Sequence, residues 1–312
     1  MIAVVFPGQG SQKPGMGKSL YETFPEAKRV LDVLSSSLNV DLKALLWESD
    51  EETLRQTENA QTALYTVGQM AWAALEPRLK GDVAAFAGHS VGEYAALAAA
   101  DVFGMEEGAG LVRTRGRLMA EAGAKALGTM AAVLGLHRSL LDEACRDAEG
   151  IVVVANDNCP GQLVISGEVE AVARAGELAK AKGAKRVIPL NVSGAFHSPL
   201  MDEAAREMAV ALSQVAIGTA SASRKVYANV TAEPVPDVRH WPSLLERQLK
   251  SPVRWTESVQ HMRRDGIDTF IECGPGNVLQ GLIRKIDPEA KGLAAGEAED
   301  LEKTILGLGV AP

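Results

Sequence analysis

The chain has 312 residues, of which 46% are hydrophobic and 23% charged, and its mean hydropathy is +0.01. This length can bury a large core in one domain or in two unequal ones, which excludes a small disulfide-stapled protein. The formal net charge of −8 argues against a protein that binds nucleic acid through its phosphates, because such proteins normally present a basic domain or stripe.

An apolar run over Ile2–Phe6 opens the chain and ends at Pro7-Gly8, which predicts a buried strand leading into a glycine-rich loop. Hydrophobic periodicity then predicts alternating helices and strands. In chain order these are helices over 26–38 and 60–79, a strand over 83–87, and helices over 93–100 and 105–122. A strand, a tight turn and a helix follow one another at 83–100, the order in which α/β folds build functional sites.

The pattern changes near Gly128. A strand, a helix, two strands, a helix and a strand are predicted over 130–134, 139–148, 151–155, 163–166, 169–182 and 185–190. This βαββαβ series is typical of the ferredoxin-like arrangement and indicates a small inserted domain at 127–192. Residues 1–126 and 193–312 are assigned to a larger α/β domain. Its later elements are a helix over 200–215, a strand over 226–229, helices near Leu244 and Ser258, a strand over 267–271, and helices over 278–286 and after Glu297.

The three cysteines, Cys145, Cys159 and Cys273, form no Cys-x-x-Cys pair, so neither a disulfide framework nor a zinc knuckle is predicted. This usage favours a reducing, cytoplasmic location. The first residues lack the charged start and the apolar stretch of a signal peptide. No run approaches the roughly 18 apolar residues that span a bilayer, so no membrane partner is expected.

Gly88-x-Ser90-x-Gly92, between a predicted strand and a predicted helix, has the pattern of a nucleophile elbow. Such a turn is so tight that only small residues fit beside the serine, whose hydroxyl is lifted clear of the sheet. Ser90 then lies at a helix N-terminus, where free N–H groups favour developing negative charge. The N–H of Val91 is placed to donate to an oxyanion.

A serine hydroxyl needs a base to become a useful nucleophile, and the chain has five histidines. His89 is adjacent to Ser90 and is expected to point away from it. Surface positions are expected for His137, His240 and His261. His197 lies between a strand and a helix in a loop of small residues, which lets its ring approach a partner, so His197 is the predicted base.

The loop at 6–12 invites a nucleotide-binding interpretation, which the glycine spacing contradicts. Lys13 stands where the dinucleotide fingerprint needs a third glycine, and Gln12 stands where a P-loop ending in Gly-Lys-Ser would need one. What is left is a flexible loop with a polar amide. It is suited to supplying a second oxyanion donor from Gln9.

Several motifs occur in a fixed order: Phe-Pro-Gly-Gln-Gly-Ser-Gln at 6–12, Gly-His-Ser-Val-Gly-Glu at 88–93, Thr-Arg-Gly at 114–116 and Gly-Ala-Phe-His-Ser at 194–198. With them the sequence closely resembles the malonyl-CoA:acyl carrier protein transacylases, the stand-alone acyltransferases of dissociated fatty acid synthesis. The resemblance extends over nearly the whole chain, including the segments at 156–162, 248–255 and 272–276. It implies an α/β-hydrolase-like large domain with a ferredoxin-like insertion.

The resemblance also implies a role for each matching residue. Ser90 corresponds to the nucleophile that takes the malonyl group as an ester, and His197 to its general base. The main-chain carbonyl of Gln248 would orient that histidine. Gln9 and the Val91 N–H would form the oxyanion hole.

Arg115 corresponds to the arginine that binds the malonyl carboxylate, a role that suits a planar guanidinium which keeps its charge when buried. Such pairing selects malonyl over acetyl, since an acetyl group leaves the cation unpaired. Phe196 matches the Ala-Phe-His form that malonyl-selective members carry. Phe196 and Asn158 are candidate cleft residues.

The implied reaction is a ping-pong transfer from malonyl-CoA to the phosphopantetheine thiol of holo acyl carrier protein, with no metal or redox cofactor. A monomer is expected. Three alternatives stay open: a trans-acting acyltransferase for a polyketide synthase, a serine hydrolase such as a thioesterase, and a non-catalytic module that binds acyl carrier protein. Because the anionic partners must meet local positive charge on an acidic protein, the expected docking residues are Lys182, Lys185, Arg186 and Lys285.

Overall fold

The computed structural model describes residues 1–79, 83–218 and 224–309. Its strands are β1 (Ile2–Phe6), β2 (Val83–Gly88), β3 (Gly128–Leu134), β4 (Val152–Cys159), β5 (Gln162–Glu168), β6 (Arg186–Pro189), β7 (Lys225–Tyr227), β8 (Thr269–Glu272) and β9 (Lys291–Ala294). Its helices are α1 (Lys18–Thr23), α2 (Pro25–Leu38), α3 (Glu51–Arg55), α4 (Thr57–Leu75), α5 (Gly92–Ala99), α6 (Met105–Lys125), α7 (Arg138–Asp147), α8 (Val169–Ala181), α9 (Asp202–Leu212), α10 (Trp241–Gln248), α11 (Trp255–Arg264), α12 (Val278–Ile286) and α13 (Ala298–Gly307). Every helix and strand that the sequence predicts is present, so the predicted mixed α/β class is confirmed.

The larger part of the molecule is built on a parallel sheet with the strand order β7-β2-β1-β8-β9. Both faces of this sheet are covered at its central strands β1 and β2, which is why these two strands are apolar along their length. Alternate residues of β1 divide between the two faces: Val4 and Phe6 pack into the core with α4 and α5, whereas Val5 packs with α11 and α12. Phe6 pairs with Gly88, so the loops that follow the two central strands are neighbours.

The smaller part is an antiparallel sheet with the strand order β4-β5-β3-β6. Helices α7 and α8 cover one face and enclose an apolar core with residues such as Val133, Leu141 and Ile165. The other face, which includes Met130 and Val164, packs into the core of the larger part. The cleft described below lies where these two parts meet.

Some boundaries differ from the sequence prediction for local reasons. Strand β4 ends at Cys159, four residues beyond its predicted end, because it continues to pair with β5. Helix α4 ends at Leu75, and Pro77 lies in the short 3-10 turn that follows. The short elements α1, α3 and β9 were not predicted. Among the described residues, no helix is both long and apolar enough to cross a membrane.

Candidate active site

The elbow predicted around Ser90 is formed between β2 and α5. Ser90 has a φ of 53°, in the left-handed region that non-glycine residues seldom adopt. A Cβ atom on Gly88 would lie 1.9 Å from the carbonyl carbon of Gly92, and one on Gly92 would lie 2.2 Å from the Phe6 oxygen. Both glycines are therefore required by the close approach of backbone to backbone.

The ring of His197 links Ser90 to Gln248. Its Nε2 lies 2.8 Å from the Ser90 Oγ, and its Nδ1 lies 2.8 Å from the main-chain oxygen of Gln248. Because a carbonyl oxygen can only accept, Nδ1 carries the proton and Nε2 is free to accept one from the serine. Burial, together with the positive charge of Arg115, lowers the pKa of His197 to about 3. The imidazole is therefore neutral, as a base must be.

Arg115 is completely buried in α6, although its neighbours Arg113 and Arg117 lie at the surface in ion pairs. Its Nη2 donates to the Ser90 Oγ at 3.0 Å and to the Gln248 Oε1 at 2.9 Å. These contacts aim the guanidinium at the serine. Burial lowers the pKa of Arg115, but arginine keeps its charge in proteins.

A second amide also binds this guanidinium, since Nη1 of Arg115 donates to Oε1 of Gln61 at 2.7 Å. Gln61 is 1% exposed on α4, a helix whose other buried residues are mostly apolar. A buried glutamine in such a helix is the signal that could have identified it from the sequence. It was missed because the periodicity of α4 indicates burial and not the partner.

The cleft over Ser90 encloses about 360 Å³ and is lined by both parts of the molecule. Gln9, from the loop after β1, and Val91, at the N-terminus of α5, both line it. Phe196 lines it as well and is 5% exposed. Asn158 is not among the lining residues.

Asn158 contributes to the site indirectly. Its Oδ1 lies 2.8 Å from Nε2 of His89, whose ring packs against Trp255. The ring of His89 thus bonds to Asn158 and not to the Ser90 hydroxyl, although His89 also lines the cleft. Asn156, two residues earlier on β4, lines the cleft instead.

The four predicted docking residues lie outside the lining of the cleft. Lys182 forms ion pairs with Glu143 and Asp147, and Nζ of Lys285 donates to Gln162. Arg186 is the first residue of β6, and Lys185 directly precedes it. Within the described ranges, no group of three or more His, Cys, Asp or Glu side chains could hold a metal ion.

Glu93 and Asn229 are two buried residues beside Ser90 for which the sequence predicts no role. The backbone N–H of Ser90 donates to Oδ1 of Asn229 at 2.8 Å, and the backbone N–H of Asn229 donates to Oε1 of Glu93 at 2.6 Å. Glu93 belongs to the quoted Gly-His-Ser-Val-Gly-Glu motif. A charged residue at the start of an alanine-rich, buried helix was the available signal.

Comparisons with known proteins identify the family of this chain. The family model described as "Acyl transferase domain" matches residues 3–298. A malonyl CoA-acyl carrier protein transacylase of Bacillus subtilis (strain 168) is 43% identical over 309 residues, covering 97% of this chain and 96% of the relative. One from Staphylococcus aureus (strain MRSA252) is 40% identical over 303 residues, covering 96% and 97%.

Solved structures are similar over the same length. The crystal structure of an acyl carrier protein S-malonyltransferase from Vibrio cholerae has a TM-score of 0.93 at 40% identity, covering 97% of this chain and 99% of that one. A malonyl-transacylase in complex with a type II polyketide synthase acyl-carrier protein has a TM-score of 0.94 at 38% identity, covering 98% and 99%. The chain belongs to the acyl transferase domain family and, within it, to the malonyl CoA-acyl carrier protein transacylases.

Proposed function

We propose that this acyltransferase moves the malonyl group of malonyl-CoA to the phosphopantetheine thiol of holo acyl carrier protein, as a step of fatty acid biosynthesis. One observation carries the proposal. The Ser90 Oγ lies 2.8 Å from the His197 Nε2 and 3.0 Å from the Arg115 Nη2, so a nucleophile, a base and a carboxylate-binding cation meet in one cleft. The related malonyl CoA-acyl carrier protein transacylase and acyl carrier protein S-malonyltransferase support the same reaction.

The first half-reaction acylates the serine. The Ser90 Oγ bonds to the thioester carbonyl carbon while Nε2 of His197 takes the hydroxyl proton. The C–S bond then breaks, and the imidazolium returns this proton to the CoA sulfur. The malonyl group is left as an ester on Ser90.

The second half-reaction repeats these steps in reverse with a new thiol. His197 takes the proton of the phosphopantetheine thiol, whose sulfur bonds to the ester carbonyl carbon. The C–O bond breaks and the proton returns to the Ser90 oxygen. In both halves Gln9 and the Val91 N–H form the oxyanion hole, each donor being worth about 10²–10³ in rate.

Arg115 gives the reaction its acyl-group selectivity. A malonyl carboxylate pairs with its guanidinium, and the Ser90 hydroxyl then gives up its contact with Nη2. An acetyl group leaves this buried cation without an anionic partner. Phe196 precedes His197 and lines the same cleft.

A second candidate function is a trans-acting acyltransferase of a polyketide synthase. It is favoured by the similar structure described as a malonyl-transacylase in complex with a polyketide synthase carrier. A serine thioesterase would use the same elbow but has no need of a buried arginine at the serine. Steady-state release of free malonate would identify a hydrolase, and preference between fatty acid and polyketide carriers separates the two transferases.

We further propose how the chain is divided. Residues 127–192 form an inserted ferredoxin-like domain, which the order β4-β5-β3-β6 supports, and residues 1–126 and 193–312 form an α/β-hydrolase-like domain around the parallel sheet. The enzyme acts as a cytoplasmic monomer and needs no metal or redox cofactor. Light scattering of the purified chain tests the monomer.

Carrier docking is proposed at Lys182, Lys185, Arg186 and Lys285. Lys185 and Arg186 are the stronger candidates, since Lys182 already forms ion pairs with two carboxylates. Replacing each by alanine is expected to raise the KM for acyl carrier protein and to spare self-acylation by malonyl-CoA. If all four variants keep the wild-type KM, the carrier docks elsewhere.

The proposed function is tested by the intact mass of the protein after incubation with malonyl-CoA. The wild type is expected to gain one malonyl group and to lose it when holo acyl carrier protein is added. Ser90→Ala is expected to gain none. A wild type that stays unmodified would overturn the enzyme assignment.

A further inference from the structure

Glu93 is a buried carboxylate that the proposed mechanism does not use. It is 1% exposed in the first turn of α5, three residues after Ser90. Its Oε1 accepts the backbone N–H of Asn229 at 2.6 Å, and its Oε2 accepts Nε2 of Gln248 at 2.6 Å. Burial raises its pKa, whereas these two donors and the Arg115 charge lower it; because each of its two oxygens faces an N–H donor, the geometry is that of the ionised carboxylate. A carboxylate held at such a cost calls for a role.

The two partners of Glu93 hold the two peptide groups of Ser90. Oδ1 of Asn229 accepts the Ser90 N–H at 2.8 Å, and Nε2 of Gln248 donates to the Ser90 carbonyl oxygen at 2.9 Å. Asn229 also donates to the carbonyl oxygen of Gly88 at 2.6 Å. A non-glycine residue with a φ of 53° persists only where its surroundings determine it, and these bonds are such surroundings.

The same carboxylate decides which way the Gln248 amide points. Both amide hydrogens are used, one toward Glu93 and one toward the Ser90 carbonyl, so Oε1 faces Nη2 of Arg115. The flipped amide would set oxygen against carboxylate and NH₂ against guanidinium. Glu93 therefore fixes, through one amide, the direction from which Arg115 is held.

We propose that Glu93 is a positioning residue for malonyl transfer, whose carboxylate holds Gln248 and Asn229 in the orientations that the site needs. Through them it maintains the left-handed Ser90 backbone and the alignment of Arg115. The inference rests on the proposed function. Selectivity for malonyl then depends on Glu93 as well as on Arg115, because Glu93 orients the Gln248 amide that holds the guanidinium.

The test is the rate constant for single-turnover acylation of Ser90, followed by intact mass with malonyl-CoA and with acetyl-CoA. Glu93→Gln keeps the shape but offers one acceptor to two donors, so malonylation is expected to fall about 10²-fold. Acetylation depends on the elbow but not on the arginine and is expected to fall by less. The malonyl-to-acetyl ratio is therefore expected to drop at least tenfold.

Glu272 supplies the matched control. It is also completely buried, and its two oxygens accept the backbone N–H groups of Leu279 and Gln280 at 3.0 and 3.1 Å. Glu272→Gln removes a comparable buried charge away from Ser90. It is expected to lower the melting temperature and to leave the malonyl-to-acetyl ratio unchanged.

A double-mutant cycle separates alignment from folding. In an Arg115→Ala background, Glu93→Gln is expected to leave the ratio unchanged, because the group that it aligns is gone.

If Glu93→Gln does not fold, Glu93→Asp keeps the charge but withdraws it by one methylene, and a smaller fall in the ratio is expected.

Two results overturn this inference and leave the proposed function standing. In the first, the wild type is acylated and the folded Glu93 variant has the same malonyl-to-acetyl ratio. In the second, Glu272→Gln lowers that ratio as much as Glu93→Gln does. A wild type that is never malonylated overturns the proposed function and the inference with it.

Discussion

Two regions of this protein are buried to a similar extent but differ in chemistry. The core of the antiparallel part, between its sheet and helices α7 and α8, is built from apolar side chains such as Val133, Leu141 and Ile165. The region beneath Ser90 buries instead a set of polar and charged side chains, called here the elbow cluster: Glu93, Arg115, His197, Asn229 and Gln248.

The difference concerns what each region can tolerate. Apolar burial is non-directional, so a core accepts substitutions that keep its volume and loses stability gradually when they do not. Polar burial is directional, because each donor and acceptor left without a partner is costly. We therefore expect errors in the apolar core to change stability, and errors in the elbow cluster to change rate and selectivity.

The largest expected effect comes from replacing the proposed base, His197. His197→Ala removes the proton acceptor of Ser90 and is expected to slow its acylation by malonyl-CoA about 10²–10⁴-fold. Single-turnover intact mass measures this rate, with His137→Ala at the surface as the control. A His197→Ala enzyme that is acylated at nearly the normal rate would assign the base to another histidine.

Arg115→Ala is expected to act on selectivity. Charge-assisted hydrogen bonds to a carboxylate are worth about 1.5–3 kcal/mol each, so the loss of two predicts a fall of about 10²-fold or more in malonyl transfer. Acetyl transfer is expected to change much less. Comparing the two acyl groups in one preparation cancels any loss of folded protein. Equal losses with both would refute the carboxylate role.

The elbow cluster also marks how far sequence reasoning reaches. The turn at Ser90 was predicted because its signal is local: a strand, two glycines and a helix within a short segment. The residues that hold this turn in place were not predicted, because they are far apart in the sequence. Glu93 is 136 residues from Asn229 and 155 residues from Gln248. Nothing in the local pattern at any of these residues indicates the others.

The same limit applies to the fold. Strand β1 was predicted because burial on both faces demands an apolar run, and Val4 and Val5 are completely buried. Strand β9, Lys-Gly-Leu-Ala at 291–294, is a partly exposed edge strand with no apolar run and no alternation. It becomes a strand because β8 offers it a parallel partner, a long-range condition that its own residues do not encode.

A pH profile of the reaction tests the charge state of His197 in the elbow cluster. Burial and the Arg115 charge lower the pKa of His197 to about 3, so the base stays neutral well below the ordinary histidine range. The kcat/KM for malonyl transfer is therefore expected to be nearly the same at pH 5 and pH 7. An acid limb near pH 6.5 would show a solvated, unperturbed imidazole.

Arg115→Ala tests the direction in which the Arg115 charge shifts the pKa of His197. Removing a positive charge makes protonation of His197 easier, so its pKa rises and the acid limb moves to higher pH. Acetyl-CoA is the suitable substrate, since its use does not require the arginine. A limb that stays in place or moves to lower pH would show that Arg115 does not act on the imidazole.

The smallest effect on the reaction is expected from the apolar core. Ile165→Ala on β5 leaves a cavity at a completely buried site, which costs about 2–5 kcal/mol of unfolding free energy. The rate constant for Ser90 acylation is expected to change less than about twofold, because Ile165 faces α7 and α8 while its neighbour Val164 faces the larger part. Denaturant titration and single-turnover intact mass measure the two quantities on one preparation. The acylation rate of the folded Ile165→Ala protein could instead fall as much as that of Glu93→Gln. Packing in the antiparallel part would then affect the reactivity of Ser90, and the division between the two regions would not hold.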